Sequence, residues 1–456
     1  IGYRLVGSEM CIRDSMEPNS RLKLEAISVT LAILLVSVPI HNDVEYALQS
    51  EAKSADTLGG NSFIDAPTWR VNDRWVYSGE LDVYDFIADS GVSTNVNTLT
   101  GTLDVQVESI NLVDVGGIQT LAYTVAGTGD YRADNIQLEG QNGDVVVEMD
   151  TTSVIRVSDM AVISQTATID IEFDPAFGWI CWLISCDIAS ITASNEYWPP
   201  LERHDFPLSV GDTWVNNYTL NTTYSGSSSY VTIPQSTSDQ VETTSTVVQA
   251  GYPGVSQSGC SVSYNVTATD VNGSLVGYGW HCDSMKNDVI TLNEVTLGLM
   301  ARHEIDYSTL SPRPYVIDVE PMYPLAPFDF TSPIWVNVSD ANGAPTANQL
   351  IEFRYDPTGE VQTITTESNG SAFTTLNYGS QGDESLVDGE HGSHGIVARI
   401  VNTDHMGIST ITLDPDIYEV DLKLDPSSIS IQRNRSGEIQ SITAPFNAVP
   451  GDLMTM

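Results

Sequence analysis

Positive charge is what this 456-residue sequence has least of: 18 Lys and Arg stand against 60 Asp and Glu, a formal net charge of -42. Binding a phosphate backbone takes clustered cations, so nucleic acid is excluded as a partner. The acids occur singly rather than in blocks, which favours hydration in a salty medium over a dedicated cation store. Motifs for chemistry are missing as well. There is no G-x-S-x-G elbow, no glycine-rich phosphate loop after a strand, no EF-hand loop and no C-x-x-C. The expectation is a chain that is not an enzyme and carries no cofactor or metal. One catalytic possibility stays open, a glycosidase pair, whose two carboxylates need only be neighbours in space.

Two histidine motifs come nearest to chemistry. His303-Glu304-Ile305-Asp306-Tyr307 begins like H-E-x-x-H but ends in Tyr, and it reads as the end of a strand, where positions i and i+4 do not meet as on a helix. His391-Gly392-Ser393-His394 offers two imidazoles with no third ligand in spacing, and reads as a solvated loop.

Long apolar runs are scarce too. Ala26 to Ile40 follows Arg21 and Lys23 and is 15 residues long, short of the ~20 that a bilayer-crossing helix needs. Residues 16–55 therefore read as a signal peptide and linker, with Ala52 and Ser54 among the cleavage candidates and an uncleaved signal anchor as the alternative. Either way the rest is expected to be extracellular or at the cell surface. Membrane contact would come only through that uncleaved signal or through an anchor downstream of Met456. Val6 to Ser15 resembles translated sequencing-adapter read-through, so residues 1–15 are set aside as an artefact and Met16 is the expected start, a genuine polar extension being the alternative.

The organising feature is a stretch that occurs twice, Val71-Asn72-Asp73-Arg74-Trp75-Val76 and Val210-Gly211-Asp212-Thr213-Trp214-Val215. In both, a turn pair precedes a Trp and strand-type alternation. Trp75 and Trp214 are 139 positions apart, Tyr123 and Tyr264 are 141 apart, and Asp170 and Asp306 are 136 apart. This predicts tandem duplication, with one β-domain at 65–200 and another at 201–311, each an antiparallel curved sheet or barrel. Asn142-Gly143 is the strongest hairpin signal, Gly116-Gly117 and Gly127-Thr128-Gly129 read as further breaks between strands, and Ser225 to Thr246 reads as a long mobile loop. Phe177 to Cys186 and Tyr197-Trp198-Pro199-Pro200 read as a hydrophobic plug and stiff exit between the repeats, with an exposed aromatic patch as the alternative.

His204 to Trp214 resembles the F-P-L-x-V-G-x-x-W opening of β-rich domains in exported bacterial and archaeal proteins and lipoproteins. That resemblance implies an extracytoplasmic β-domain and no activity; no Cys directly follows the signal core, so a lipid anchor there is not supported. Trp335 to Pro345, Ile351-Glu352-Phe353 and Thr366 to Ala372 resemble the bacterial Ig-like domains of surface adhesins, and similar patterns occur in carboxypeptidase regulatory-type modules. The resemblance implies a non-catalytic β-sandwich at about 314–414, with turns at Asn342-Gly343 and Asn369-Gly370 and a late core strand at Ile396 to Val401. Residues 415–456 read as the start of a further β module that is cut short. The expected fold is thus all-β throughout.

With Cys11 in the artefact, four cysteines remain, and an even set in an exported chain reads as disulfides. Local pairing is the simplest of the three connectivities: Cys181 with Cys186, and Cys260 with Cys282 across a hairpin turning near Asn272-Gly273. Free thiols or an inter-domain pair are the alternatives. Seven N-glycosylation sequons begin at Asn217, Asn221, Asn265, Asn272, Asn337, Asn369 and Asn434, all after Pro200. Together these readings point to a non-catalytic surface or secreted protein with an adhesion, stalk or envelope role, meeting other surface proteins or glycans. The alternative is a binding module for a glycan or small apolar ligand, recognisable as a concave sheet lined by Trp and Tyr in the duplicated segments.

Overall fold

The computed structural model describes residues 64–84, 86–87, 93–176, 186–228, 232–254, 259–260, 262–379 and 392–413, together with three strands at 431–435, 438–442 and 453–455. The fold is all-β. Twelve strands follow one another around a closed antiparallel barrel: β1 (Arg74–Asp82), β2 (Thr98–Val115), β3 (Ile118–Leu138), β4 (Gln141–Arg156), β5 (Val162–Pro175), β6 (Asp187–Leu201), β7 (Thr213–Ser228), β8 (Thr237–Gly251), β9 (Ser263–Asp270), β10 (Leu275–Cys282), β11 (Asn287–Thr296) and β12 (Leu299–Thr309). Each pairs with its sequence neighbours, and β12 returns to pair with β1 from Ser308 opposite Trp75 to Met300 opposite Asp82.

The segments 65–200 and 201–311, expected as two domains, are two halves of this one barrel. The first supplies β1–β6 and the second β7–β12. A half on its own would end in two unpaired edge strands, and each half covers the edges of the other. The repeat is visible in atomic detail. Asn72 N–H donates to Val107 O and Val107 N–H to Asp73 O; in the second half Gly211 N–H donates to Val247 O and Val247 N–H to Asp212 O. Tyr123 on β3 and Tyr264 on β9 occupy equivalent strands, but Asp170 lies on β5 and Asp306 on β12, so that third landmark is not part of the repeat.

Several local expectations shift. The β3–β4 hairpin turns at Glu139-Gly140, both at positive φ (48° and 78°), and not at Asn142-Gly143, which sit within β4. Gly143 is needed there for close approach, since a Cβ would lie 2.4 Å from Asp174 O and 2.6 Å from the Phe173 ring. Gly127 and Gly129 lie inside β3, and Gly116-Gly117 does form the β2–β3 turn. The Ser/Thr-rich stretch is the β7–β8 hairpin, with strand out to Ser228 and again from Thr237. Tyr197 to Pro200 belong to β6, Tyr197 buried and Trp198 54 % exposed, so they form a barrel stave and not an inter-domain exit. Phe177 to Ser185 lie outside the described residues.

Period-two alternation puts apolar side chains inside the barrel and charges outside. On β4, Val145, Val147 and Met149 are buried while Glu148 and Asp150 are exposed; on β5, Ile171 and Phe173 are buried between exposed Glu172 and Asp174. A lipid-spanning barrel has the opposite arrangement, an apolar band outside.

A β-sandwich follows. β13 (Tyr315–Pro321), β15 (Thr331–Asp340) and β18 (Ser371–Asn377) form one sheet. β14 (Leu325–Ala326), β16 (Leu350–Tyr355), β17 (Glu360–Thr365), β19 (Gly392–Ile400) and β20 (Met406–Leu413) form the other. Ile334, Val336 and Leu376 of the first sheet share a core with Phe353, Ile396 and Ile411 of the second. Turns at Asn342-Gly343 and Asn369-Gly370 carry positive φ at their glycines, and the late core strand expected at 396–401 is β19. Three short strands form a small sheet further on, with β21 (Ile431–Arg435) paired on one side to β22 (Glu438–Ile442) and on the other to β23 (Leu453–Thr455).

The sandwich packs on the end of the barrel that carries the β2–β3, β4–β5 and β10–β11 turns. Val397 and Met406 join the barrel cluster of Trp69, Trp75 and Tyr123. Arg70 pairs with Asp404 at 2.7 Å, and Asp356 accepts hydrogen bonds from Thr120 and, at 2.8 Å, Ser158. At the same end Cys260 is joined to Cys282 by a disulfide, with the hairpin turn at Asn272-Gly273 between them. Closing 22 residues, it contributes about 3 kcal/mol, mainly by restricting the unfolded chain. Cys186 is also disulfide-bonded, and Cys181 lies outside the described residues.

Candidate functional site

The barrel is unevenly filled. Between β3 and β6 the inward positions are large: Tyr131, Val147, Met149, Ile171, Phe173 and Ile191. From β6 to β11 small or polar residues are interspersed among the large ones, including Asn195, Asn216, Thr243, Ser245, Ala268 and Gly277. This side cannot fill its share of the interior, and a cavity of about 220 Å³ remains. Tyr197, Tyr218, Tyr224 and Tyr278 line it; Tyr197 and Tyr218 pack together with ring centroids 5.6 Å apart and planes tilted by 60°. The cavity runs from Thr296 and Leu297 at the β11–β12 turn to His204 and Asp288 near the sandwich-covered end.

At that inner end two imidazoles converge on one carboxylate. His204 comes from the β6–β7 connection, His281 from β10 and Asp288 from β11, where Asp288 is the register partner of His281. Asp288 Oδ1 lies 3.1 Å from His281 Nδ1 and 3.2 Å from His204 Nε2, and the three donor atoms lie within 4.8 Å of one another. Burial alone would raise the Asp288 carboxyl, but the two imidazoles outweigh it and hold it far below the usual carboxylate range. Burial pushes His281 down, against the pull of Asp288. Phe206 walls the cluster, stacked on His204 at 5.7 Å and edge-on to His281 at 5.2 Å. Gly279 makes room: a Cβ there would lie 2.5 Å from Asp288 Oδ2.

None of these three residues stands out in the sequence. Spacings of 77 and 7 match no ligand motif, and only barrel closure joins the β6–β7 connection to β10 and β11. The one signal available was the rarity of histidine, seven in the chain. The histidines of the two sequence motifs behave otherwise. His394 is buried on β19, edge-on to Tyr355 at 6.1 Å, and not in a solvated loop; His391 lies outside the described residues.

His303 sits in the middle of β12 and not at a strand end; it is buried beside Tyr77, with its Nε2 2.5 Å from the Tyr131 hydroxyl. Burial pushes its pKa down to about 4. Between pH 6.5 and 4 the unfolded chain takes up a proton that the folded chain refuses, so stability falls with pH by up to about 3 kcal/mol, with no such loss above 6.5. Denaturant unfolding at pH 7 and pH 4.5 should show His303→Gln losing roughly 2 to 3 kcal/mol less than the parent between the two. Parallel losses would remove His303 as the cause.

The fold and site define a class: a barrel with an apolar core and an acidic exterior, holding an internal cavity of mixed polar and apolar lining and capped by a β-sandwich. Comparison with protein-family models finds no match, and neither does comparison with curated proteins.

Proposed function

We propose that this is an exported surface protein, non-catalytic, whose barrel binds one small polyhydroxylated ligand of monosaccharide size. The observation that carries this reading is the Tyr-lined cavity on the β6–β11 side of the barrel. Tyr rings offer faces to the apolar side of a sugar, while Asn195, Asn216, Asp239 and Thr243 among the lining residues offer partners for hydroxyls. The volume suits one small molecule better than a drug-sized one. No Trp lines the cavity, in contrast to the Trp and Tyr surface expected from sequence; Trp75 and Trp214 are core residues instead. The acidic exterior and the disulfide support a location outside the cell. The sandwich, with its Ig-like sequence pattern, serves in this reading as the stalk or adhesion module that displays the barrel.

The sequons fit an exported chain unevenly. Asn217, Asn221, Asn272 and Asn369 are exposed, Asn337 is half-buried, and Asn265 is buried, where a glycan has no room; the Asn434 side chain lies outside the described residues.

Calorimetric titration with a panel of monosaccharides and short polyols should find a binder, and Ala268→Phe, which fills the cavity from β9, should abolish binding while leaving the far-ultraviolet circular dichroism unchanged. Binding that survives the Phe would move the site elsewhere, and a folded protein that binds no member of the panel would defeat the reading.

A further inference from the structure

We infer that His204, His281 and Asp288 form a zinc site at the inner end of the barrel cavity, with one coordination position facing the cavity. Two imidazoles and a carboxylate are a donor set suited to Zn²⁺, which binds nitrogen and oxygen at about 2.0–2.2 Å. Tetrahedral ligands at that range stand roughly 3.3 Å apart. The two edges shared with Asp288, 3.1 and 3.2 Å, match that spacing, and all three donors lie within 4.8 Å of one another. The donors come from three separate stretches held by barrel closure and the Cys260–Cys282 disulfide, which lies next to His281.

An ordinary ion pair accounts for less of what is there. His204 Nε2 is buried and lies 3.2 Å from Asp288 Oδ1 without making a hydrogen bond to it, while His281 already donates from Nδ1 to the same oxygen. A metal between the three donors engages the His204 nitrogen and shares the carboxylate, with both imidazoles neutral. His204 and Asp288 line the cavity while His281 is 3 % exposed behind them, so the fourth position of a tetrahedral ion opens onto the cavity. Three protein ligands and one open position are the arrangement of zinc that takes water or an external ligand, as opposed to a closed structural site. Gly279 acts as a positioning residue, because any side chain there displaces the Asp288 carboxylate.

The test uses the full exported chain, stripped with a chelator and titrated with Zn²⁺, with bound metal counted by elemental analysis and melting temperature followed in parallel. One equivalent of zinc should bind and raise the melting temperature, and Co²⁺ in its place should give the visible absorption of a tetrahedral site. His204→Gln and His281→Gln should each lose stoichiometric zinc and the cobalt spectrum. Gly279→Ala should retain its fold by circular dichroism and bind zinc more weakly. If one His variant fails to fold, the other and Gly279→Ala still decide. A folded parent chain that binds no zinc, or zinc held equally by parent and variants, overturns the assignment. Because the readout is metal content and not sugar binding, its outcome is independent of the ligand reading above.

Discussion

Asp73→Ala should cost the folded protein about 3 to 5 kcal/mol, while Asp212→Ala, the same change at the equivalent place in the second half, should cost only about 1 kcal/mol. Both carboxylates cap the turn that opens a strand: Asp73 Oδ2 accepts from Arg70 N–H at 2.8 Å and Asp212 Oδ2 from Ser209 N–H at 2.7 Å. Only Asp73 lies at the seam. Fully buried, it also accepts from Ser311 N–H at 2.7 Å and pairs with Arg313 at 3.1 Å, residues that follow β12. It therefore ties the entry of β1 to the exit of β12, where the barrel closes without a covalent hairpin. The β6–β7 junction beside Asp212 is continuous chain and needs no such tie. Urea unfolding followed by circular dichroism should separate the two variants by at least about 2 kcal/mol. Asp73→Asn, which keeps an acceptor but loses the charge, should fall between. Equal losses at 73 and 212 would mean that the seam bonds contribute nothing special.

The strands and their alternation were legible in the sequence because each depends on neighbours within a few residues. Val145-Val146-Val147-Glu148-Met149 reads as a strand with alternating faces, and that is what β4 is. The repeat was legible for the same reason, since Asn72-Asp73 and Gly211-Asp212 make the same turn by local bonds. What the two halves do together was not. Closure is a pairing between β1 and β12, more than 200 residues apart, and between β6 and β7 across a connection that looks like a domain boundary. The cavity and the His204, His281 and Asp288 cluster inherit that difficulty, because they exist only inside the closed barrel. The misplaced hairpin at Asn142-Gly143 has a different cause. Gly143 serves the packing of β5 against β4, and a glycine required by a neighbouring backbone looks in sequence like a glycine required by a turn.

The duplicated tryptophans carry the second large effect. Trp75→Ala and Trp214→Ala should each lose about 3 to 5 kcal/mol, while Trp198→Ala should lose well under about 1 kcal/mol. Trp75 and Trp214 are among the largest fully buried side chains, and each also donates through its indole N–H, Trp75 to Met285 O at 2.7 Å and Trp214 to Glu202 O at 3.0 Å. Trp75 packs against Trp69 at 5.1 Å, and Trp214 packs within the cluster of Phe206, Leu208, Val247 and Tyr264. Each thus fastens the start of its own half to a connection on the sandwich side, Trp75 to the β10–β11 turn and Trp214 to the β6–β7 stretch that also positions His204. Trp198 has the same side chain but points outward and is 54 % exposed, so little area returns to water when it is removed. Trp75→Phe and Trp214→Phe should keep most of the apolar burial and lose the N–H bond, costing roughly 1 to 3 kcal/mol. Denaturant midpoints for the five variants, read by circular dichroism so that the loss of a fluorophore does not matter, test the ranking. If Trp198→Ala proved as costly as Trp75→Ala, the burial that separates them would not be what sets their contributions.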